Sequence, residues 1–297
     1  MSLLDAIAAV DGFPYDNLQG YKTLRGHDGT ALGYVTEAIA KHFVDEPAFS
    51  VTDTDITLDA QYDSVDKRNQ VFADLGARWR QRESLDALLN RRWRDELYTV
   101  FGADHNVYVL VERALSTLLG VVTYGVHVNG YQKKDGKIYL WVPRRSADRP
   151  MWPGLLDNTV AGGLGYPHGV EATLIKEAME EAGIEEQYVR DHATAAGVVS
   201  YCYLAEGNIV QPEVEYIYDL VFDDETKPKP VDGESEDFQL MDVDTVIAKI
   251  RQGEFKPNCG LVIIDFLIRH GIVTAENEPK YLEIVQRSHR RMPFPTR

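Results

Sequence analysis

Cysteine is almost absent from this 297-residue chain, which has only Cys202 and Cys259. The two are far apart and lack metal-ligand spacing. That excludes a disulfide framework and a zinc site, and leaves core packing as their expected role. Positive charge is also scarce. With 31 Lys and Arg against 47 Asp and Glu, the formal net charge is −16. Such a balance argues against nonspecific binding to nucleic acid or to an anionic membrane. No apolar run approaches membrane-spanning length. The opening MSLLDAIAAVDGF has no basic stretch, and Asp5 and Asp11 break its apolar residues. It reads as a short amphipathic helix rather than a signal peptide. A soluble, cytoplasmic protein is expected. Internal repeats and low-complexity tracts are lacking as well.

What remains is ordinary globular material, 44% hydrophobic and 26% charged, in a length that suits two domains. In the first third, apolar residues recur at helical spacing over Asp63 to Trp79 and again over Ser84 to Phe101. FSVTDTDITLDA, before them, alternates like a strand. From Val121 the chain turns β-rich. TYGVHVNGYQ and KIYLWVPRRS flank KKDG as a hairpin, and AAGVVSYCYL and EVEYIYDLVF form two further strands. DDETKPKPVDGESED reads as a surface loop, Phe238 to Met241 as a short strand, and Asp244 to Gln252 and Leu261 to His270 as helices. The final RRMPFPTR is expected to pack loosely. The pattern alone supports α/β or α+β.

The chemistry is concentrated in AGGLGYPHGVEATLIKEAMEEAGI, Ala161 to Ile184. A glycine-rich turn leads into a helix carrying Glu177, Glu180 and Glu181, and Gly183 stops it. Positions i, i+3 and i+4 share one helix face, so the three carboxylates are expected near one point. Like charges that close resist ionising unless a cation sits between them. A dense set of oxygen ligands suits a hard divalent ion such as Mg²⁺, which also bridges substrate phosphates. The plainer alternative is a solvated face, on which Lys176 and Glu180 make an i, i+4 pair.

This segment resembles the Nudix hydrolase signature, G-x5-E-x7-R-E-U-x-E-E-x-G-U with U a bulky apolar residue. Gly162 takes the first glycine, Glu177 the Glu after the basic position, Glu180 and Glu181 the E-E pair, and Gly183 and Ile184 the close. Three positions depart from it. Lys176 stands where Arg is usual, Ala178 takes the bulky position, and His168 occupies the first glutamate, with Glu171 the nearest carboxylate. LWVPRRSADRPMWPGLLDNTVAGG, KEAMEEAGI, DGESEDFQLMDVD and FKPNCGLVIIDFLIRHG extend the likeness to thiamine-pyrophosphokinase-related Nudix hydrolases. The resemblance implies a mixed β-sheet sandwiched by helices over 116–275, after a smaller helix-rich N-terminal domain over 1–115 and before a tail over 276–297.

It further implies Mg²⁺-dependent hydrolysis, with Mn²⁺ an alternative, of thiamine diphosphate and its damaged oxo and oxy forms to monophosphates. Glu177, Glu180 and Glu181 would hold the metal. Catalytic carboxylates would come from Glu177 and Glu181, with Glu234, Glu236 or His168 as other candidates for the base. Arg144 or Arg145 could grip a diphosphate bidentately, only one of them pointing inward. Gly162 and Gly163 would approach the substrate, a Pro153-Gly154 loop with Asp157 would line the cavity, and Trp141, Trp152, Tyr201 and Tyr203 are candidates for stacking. The expected partner is a small-molecule diphosphate, with no nucleic acid and no membrane; oligomeric state is not legible. Two other readings stay open. One is a hydrolase of another X-diphosphate such as ADP-ribose, and the other is a non-catalytic Nudix-fold binding module.

Overall fold

The computed structural model describes all 297 residues. The chain opens with α1 (Leu3–Ala8), capped by Ser2, whose hydroxyl accepts from the Asp5 amide. A first sheet follows from β1 (Tyr21–Arg25), β2 (Ala31–Thr36), the short helix α2 (Glu37–Ala40), β3 (Phe49–Val51) and β4 (Asp55–Leu58). Its order is β2-β1-β4-β3, with only β1 and β4 parallel. Helix α3 (Val65–Trp79) buries Val71, Leu75 and Trp79, the residues its spacing put on one face. They join Leu24, Phe43 and Ile56 in one core.

The second expected helix, Ser84 to Phe101, does not form. Two 3₁₀ turns, Glu83–Leu85 and Asn90–Arg92, carry Leu85 and Leu89 into the core. Then β5 (Leu97–Phe101) pairs with β6 (Val107–Glu112). LYTVF is β-branched and aromatic, and alternates buried with less buried positions, so pairing with β6 outweighs the local helical spacing. The N-terminal region is therefore mixed, with six strands around one long helix. It ends in α4 (Arg113–Leu119).

The next strands are β7 (Thr123–Lys134) and β8 (Lys137–Arg145), a hairpin turning at Asp135 and Gly136. After them come β9 (Val160–Gly163), β10 (Gly165–Tyr166), α5 (Val170–Ala182), α6 (Glu186–His192), β11 (Ala193–Ala205), β12 (Ile209–Val221), β13 (Ser235–Asp242), α7 (Val243–Gln252), α8 (Pro257–Arg269) and α9 (Tyr281–Ser288). The sheet order is β11-β12-β7-β8-β13, with β9 added to β7 and only β12 and β7 parallel. Alternation along β7 sends Val126 and Val128 to the face covered by α5, in a core with Leu174 and Ala178. The opposite face lies under α8, where Tyr131, Tyr201, Ile217 and Phe266 pack. A mixed sheet between helices is the layout the signature implied.

Two junctions tie the molecule together. Strand β10 pairs with β5, Gly165 opposite Tyr98 and Tyr166 opposite Leu97, so the N-terminal region grips the loop ahead of α5. Helix α1 packs away from its sequence neighbours, with Leu3, Ile7 and Val10 in the core under α8. The C-terminal residues are also docked rather than loose. Met292 and Phe294 are buried, and Phe294 meets the Tyr34 ring at 4.7 Å between centroids. No helix is long and apolar enough to cross a membrane.

Candidate active site

Helix α5 presents two kinds of glutamate. Thr173, Leu174, Ala178 and Ala182 are buried against the sheet, and Glu177 and Glu181, one turn apart, lie half-buried on the flank of that stripe. Glu180 is exposed and turned outward, its carboxylate 3.0 Å from Lys176 Nζ, which also reaches Glu177 at 2.9 Å. The expected convergence of three carboxylates is therefore partial. Glu177 and Glu181 meet the glycine strand, while the ammonium of Lys176 holds Glu180 on the outer face. No three acidic, His or Cys side chains are grouped at metal-binding distance.

The glycine strand explains where those two carboxylates go. Glu181 accepts from the Ala161 amide at 3.0 Å. Any Cβ on Gly162 would overlap the Glu177 side chain, so a bare backbone is needed for that approach. On the neighbouring Gly163 the Tyr98 hydroxyl, from β5, occupies the corresponding space. Arg113 pairs with Glu96 at 2.9 Å and lies within electrostatic reach of Glu177. Asp95, Glu96, Gly163, His168, Lys176 and Glu177 border a cleft between the N-terminal region and α5. His168 is exposed there.

Electrostatics mark the same spot. Burial pushes the Glu181 carboxyl well above the usual range, and Asp157, Glu177 and Glu234 push further, against the Ala161 amide. Burial likewise raises Glu177, with Lys176 opposing it and Glu180 and Glu234 adding to it. A site that holds carboxylates so crowded and so poorly solvated would take up protons unless a cation compensated it. The donor set thus fits a divalent ion. Glu234 belongs to this neighbourhood, paired with Arg149. Glu236 does not: it is exposed and accepts from the Ala147 amide at 3.1 Å, pinning the loop.

The other expected contacts are placed differently. Arg145 is the inward member of its pair, but its guanidinium is spent on its own loop. It bonds Asp157 at 2.5 Å and the Met151 and Trp152 carbonyls at 3.0 and 3.1 Å. Arg144 donates to the Gly154 carbonyl at 2.7 Å and faces Glu254. The guanidinium of Arg145 is thus committed to the 151–157 loop, while Arg144 spends one N–H on the Gly154 carbonyl and stays partly exposed. Trp141 is buried under α5, 6.2 Å from the Phe222 ring, and Trp152 is exposed at the loop tip with φ +54°. Trp141 is therefore core, whereas Trp152 has a face open to solvent. Tyr201 is buried and donates to Glu213 at 2.7 Å and Glu215 at 2.9 Å; Tyr203 donates to Gln211 at 2.8 Å.

A set of polar groups that the motifs did not point to lies on the α8 face. His127 Nδ1 is 2.7 Å from Asn158 Oδ1, and its Nε2 is 3.6 Å from Glu215. Burial alone would lower the His127 pKa, yet Glu215 holds it well above its ordinary value. Cys259 donates to Asp157 at 2.6 Å, so this thiol does more than pack. For Asp157, burial works upward, but Lys256 and Arg145 prevail and bring its carboxyl down to about 2. The signal for Glu213 and Glu215 was present in EVEYIYD, where alternation puts both acids on one face of an otherwise apolar strand.

Comparison with known proteins gives two family matches that adjoin at residue 123. Residues 27–123 match a domain of unknown function (DUF4743), and residues 123–259 match the NUDIX domain. The chain is 41% identical over 321 residues to "Uncharacterized protein YJR142W" of Saccharomyces cerevisiae, covering 99% of this chain and 92% of that protein. It is 36% identical to Nudix hydrolase 24, chloroplastic, of Arabidopsis thaliana, covering 86% of this chain and 69% of that one. Nudix hydrolase 20, chloroplastic, from the same plant is 43% identical over 67% of this chain and 53% of its own length.

Proposed function

Because the chain belongs to the Nudix hydrolase family and is a diphosphate hydrolase, we propose that it cleaves thiamine diphosphate and its oxo and oxy derivatives to monophosphate and phosphate. The observation that carries the reaction is the pair Glu177 and Glu181 set against the bare backbone of Gly162. The substrate class rests on the whole-chain likeness to the thiamine-pyrophosphokinase-related branch. Residues of this region would act in the cytoplasm on a small molecule.

Glu177 and Glu181 would hold Mg²⁺ or Mn²⁺, with Glu180 joining them once its pairing with Lys176 is released. When bound, that ion supplies positive charge to the phosphoryl oxygens and acidity to water. The chain's own part is then to orient and to move a proton. The Ala161 amide fixes the Glu181 carboxylate, and burial makes that carboxylate a strong base. Glu181 accepts the proton of the attacking water, with Glu234 as the alternative acceptor. Lys176 remains at the cleft to meet developing negative charge on the departing phosphate side.

The test is kcat/KM with Mg²⁺, measured side by side for thiamine diphosphate, its oxo and oxy forms, and ADP-ribose. The thiamine series is expected to lead, with the oxo and oxy forms ahead of the intact coenzyme. A clear lead for ADP-ribose overturns the substrate reading and leaves the family assignment standing.

A further inference from the structure

Beside the glycine strand, the face of the sheet toward α8 carries a second set of polar groups, most of them buried. Gly125 on β7 pairs with Gly163 on β9, and neither carries a side chain on the face toward α8. The Glu215 carboxylate fills the space a Gly125 side chain would take, and the Tyr98 hydroxyl does the same at Gly163. Glu213, two residues before Glu215, shares its face of β12 and is only partly buried. Gly163, at the edge of the sheet, also borders the cleft that Glu177 and Lys176 line, so these groups reach the hydrolytic end around that edge.

The carboxylates here have more acceptors than donors. Glu215 is 5% exposed, and its Oε2 has no hydrogen-bond partner. Glu213 receives one hydrogen bond, from Tyr201, and forms no ion pair. His127 lies 3.6 Å from Glu215, and its charge and that of Lys256 act on both carboxylates without an ion pair to Glu213. Burial and the adjacent Glu215 push the Glu213 carboxyl up to about 7. Lys256, just ahead of α8, feels Asp157 and Glu215 but carries no ion pair of its own. The surface is thus two-ended, with a lone ammonium toward Asp157 and unsatisfied carboxylate oxygens toward Tyr98. Buried acceptors without donors are costly, and a ligand bringing N–H groups would satisfy them.

We propose that Glu213 and Glu215 form the wall that binds the organic half of the substrate, and that this half is a heteroaromatic ring bearing N–H donors, as an aminopyrimidine does. The inference rests on the thiamine diphosphate reading above. Tyr98 brings the N-terminal region to the same wall, which gives that region a part in selectivity.

The experiment uses the full chain with Mg²⁺ and compares thiamine diphosphate with phenethyl diphosphate, whose ring lacks N–H donors. Wild type is expected to favour the thiamine ester by more than about tenfold in kcat/KM, and Glu213→Gln or Glu215→Gln to shrink that ratio by about tenfold. Calorimetric titration of thiamine monophosphate without divalent ion reads the same wall without turnover. There the Kd of Glu213→Gln should rise about tenfold. A wild type that treats both esters alike overturns the inference even if neither variant folds. So does a ratio that the substitutions leave unchanged. If wild type cleaves only ADP-ribose, the thiamine reading fails separately. The wall is then judged on ADP-ribose against ribose 5-diphosphate, where an unchanged ratio in Glu213→Gln again overturns it.

Discussion

Glu181 accepts a hydrogen bond from the Ala161 amide at 3.0 Å, which latches the last turn of α5 to the strand that carries Gly162 and Gly163. The carboxylate is thereby aimed before any substrate arrives. Orientation of this kind is where a hydrolase gains most from a rigid scaffold.

Replacing Glu181 with Gln keeps an acceptor for that amide and removes the charge. Turnover should fall about 10²- to 10⁴-fold, the range for loss of a positioned base. Stability should not fall. A carboxyl whose pKa is raised on folding, from 4.5 in this case, costs stability once the pH exceeds its unfolded value. Glu181→Gln should therefore melt at or above the wild-type temperature at pH 7. Turnover at the wild-type level under Mg²⁺ would remove Glu181 from the mechanism.

Gly162→Ala tests the close approach from the other side. The new Cβ would collide with the Glu177 side chain, so either that side chain or the strand must move. A stability loss of about 1–3 kcal/mol is expected, as for other overpacked sites. Activity should drop by far more than the melting temperature accounts for. Circular dichroism melts and Mg²⁺-dependent phosphate release decide it; an active, fully stable variant shows that Glu177 needs no such contact.

Asp157 should reveal itself through pH. Its carboxyl is held at about 2 in the fold against an ordinary 3.8. A lowered pKa contributes stability above the unfolded value, lost as the pH falls toward the folded one. The difference corresponds to about 2 kcal/mol. Asp157→Asn should be less stable than wild type at pH 7 by at least that amount, since Arg145 also loses its partner. Urea midpoints between pH 7 and pH 3 should show the gap narrowing below pH 4. A constant gap would mean that packing, not charge, is what the carboxylate provides.

A chain beginning at residue 116 would retain every proposed metal ligand. It would lose α1 from the core under α8, and β5 and its pairing with β10 ahead of α5. Loss of buried Leu3, Ile7 and Val10 alone should destabilise it by several kcal/mol, at about 1.5–3 kcal/mol for a large apolar side chain. Poor solubility or a strongly lowered melting temperature is expected. A well-folded product with unchanged selectivity would exclude any role of the N-terminal region in substrate choice.

Helix α5, the β7–β8 hairpin and the β11–β12 pair were legible because each depends on local signals: a 3.6-residue period, an Asp-Gly turn and two-residue alternation. The β5 strand was misread because Leu97 to Phe101 acquires its partner from β6 and β10, which no local window contains. Alternation told that one of Arg144 and Arg145 points inward but not which, and the acceptors of Arg145 at 151, 152 and 157 come from a loop whose path the sequence leaves open. Glu180 was grouped with Glu177 and Glu181 on angle alone. The ion pair with Lys176 is what sets its direction. Glu213 and Glu215 passed unnoticed because alternating acids in a strand also describe an edge facing water; burial under α8 makes them different.

Asp11, buried beside α1, receives Arg287 at 3.0 Å and Arg290 at 2.8 Å, across 276 and 279 residues. Helix α1 therefore docks on elements that follow it by more than 240 residues. On the ribosome α1 has no surface to bind until α8 and α9 have emerged, and its apolar face must wait in solution while the elements between them are made. Docking of α1 is consequently a late, long-range step that must follow the folding of α8 and α9.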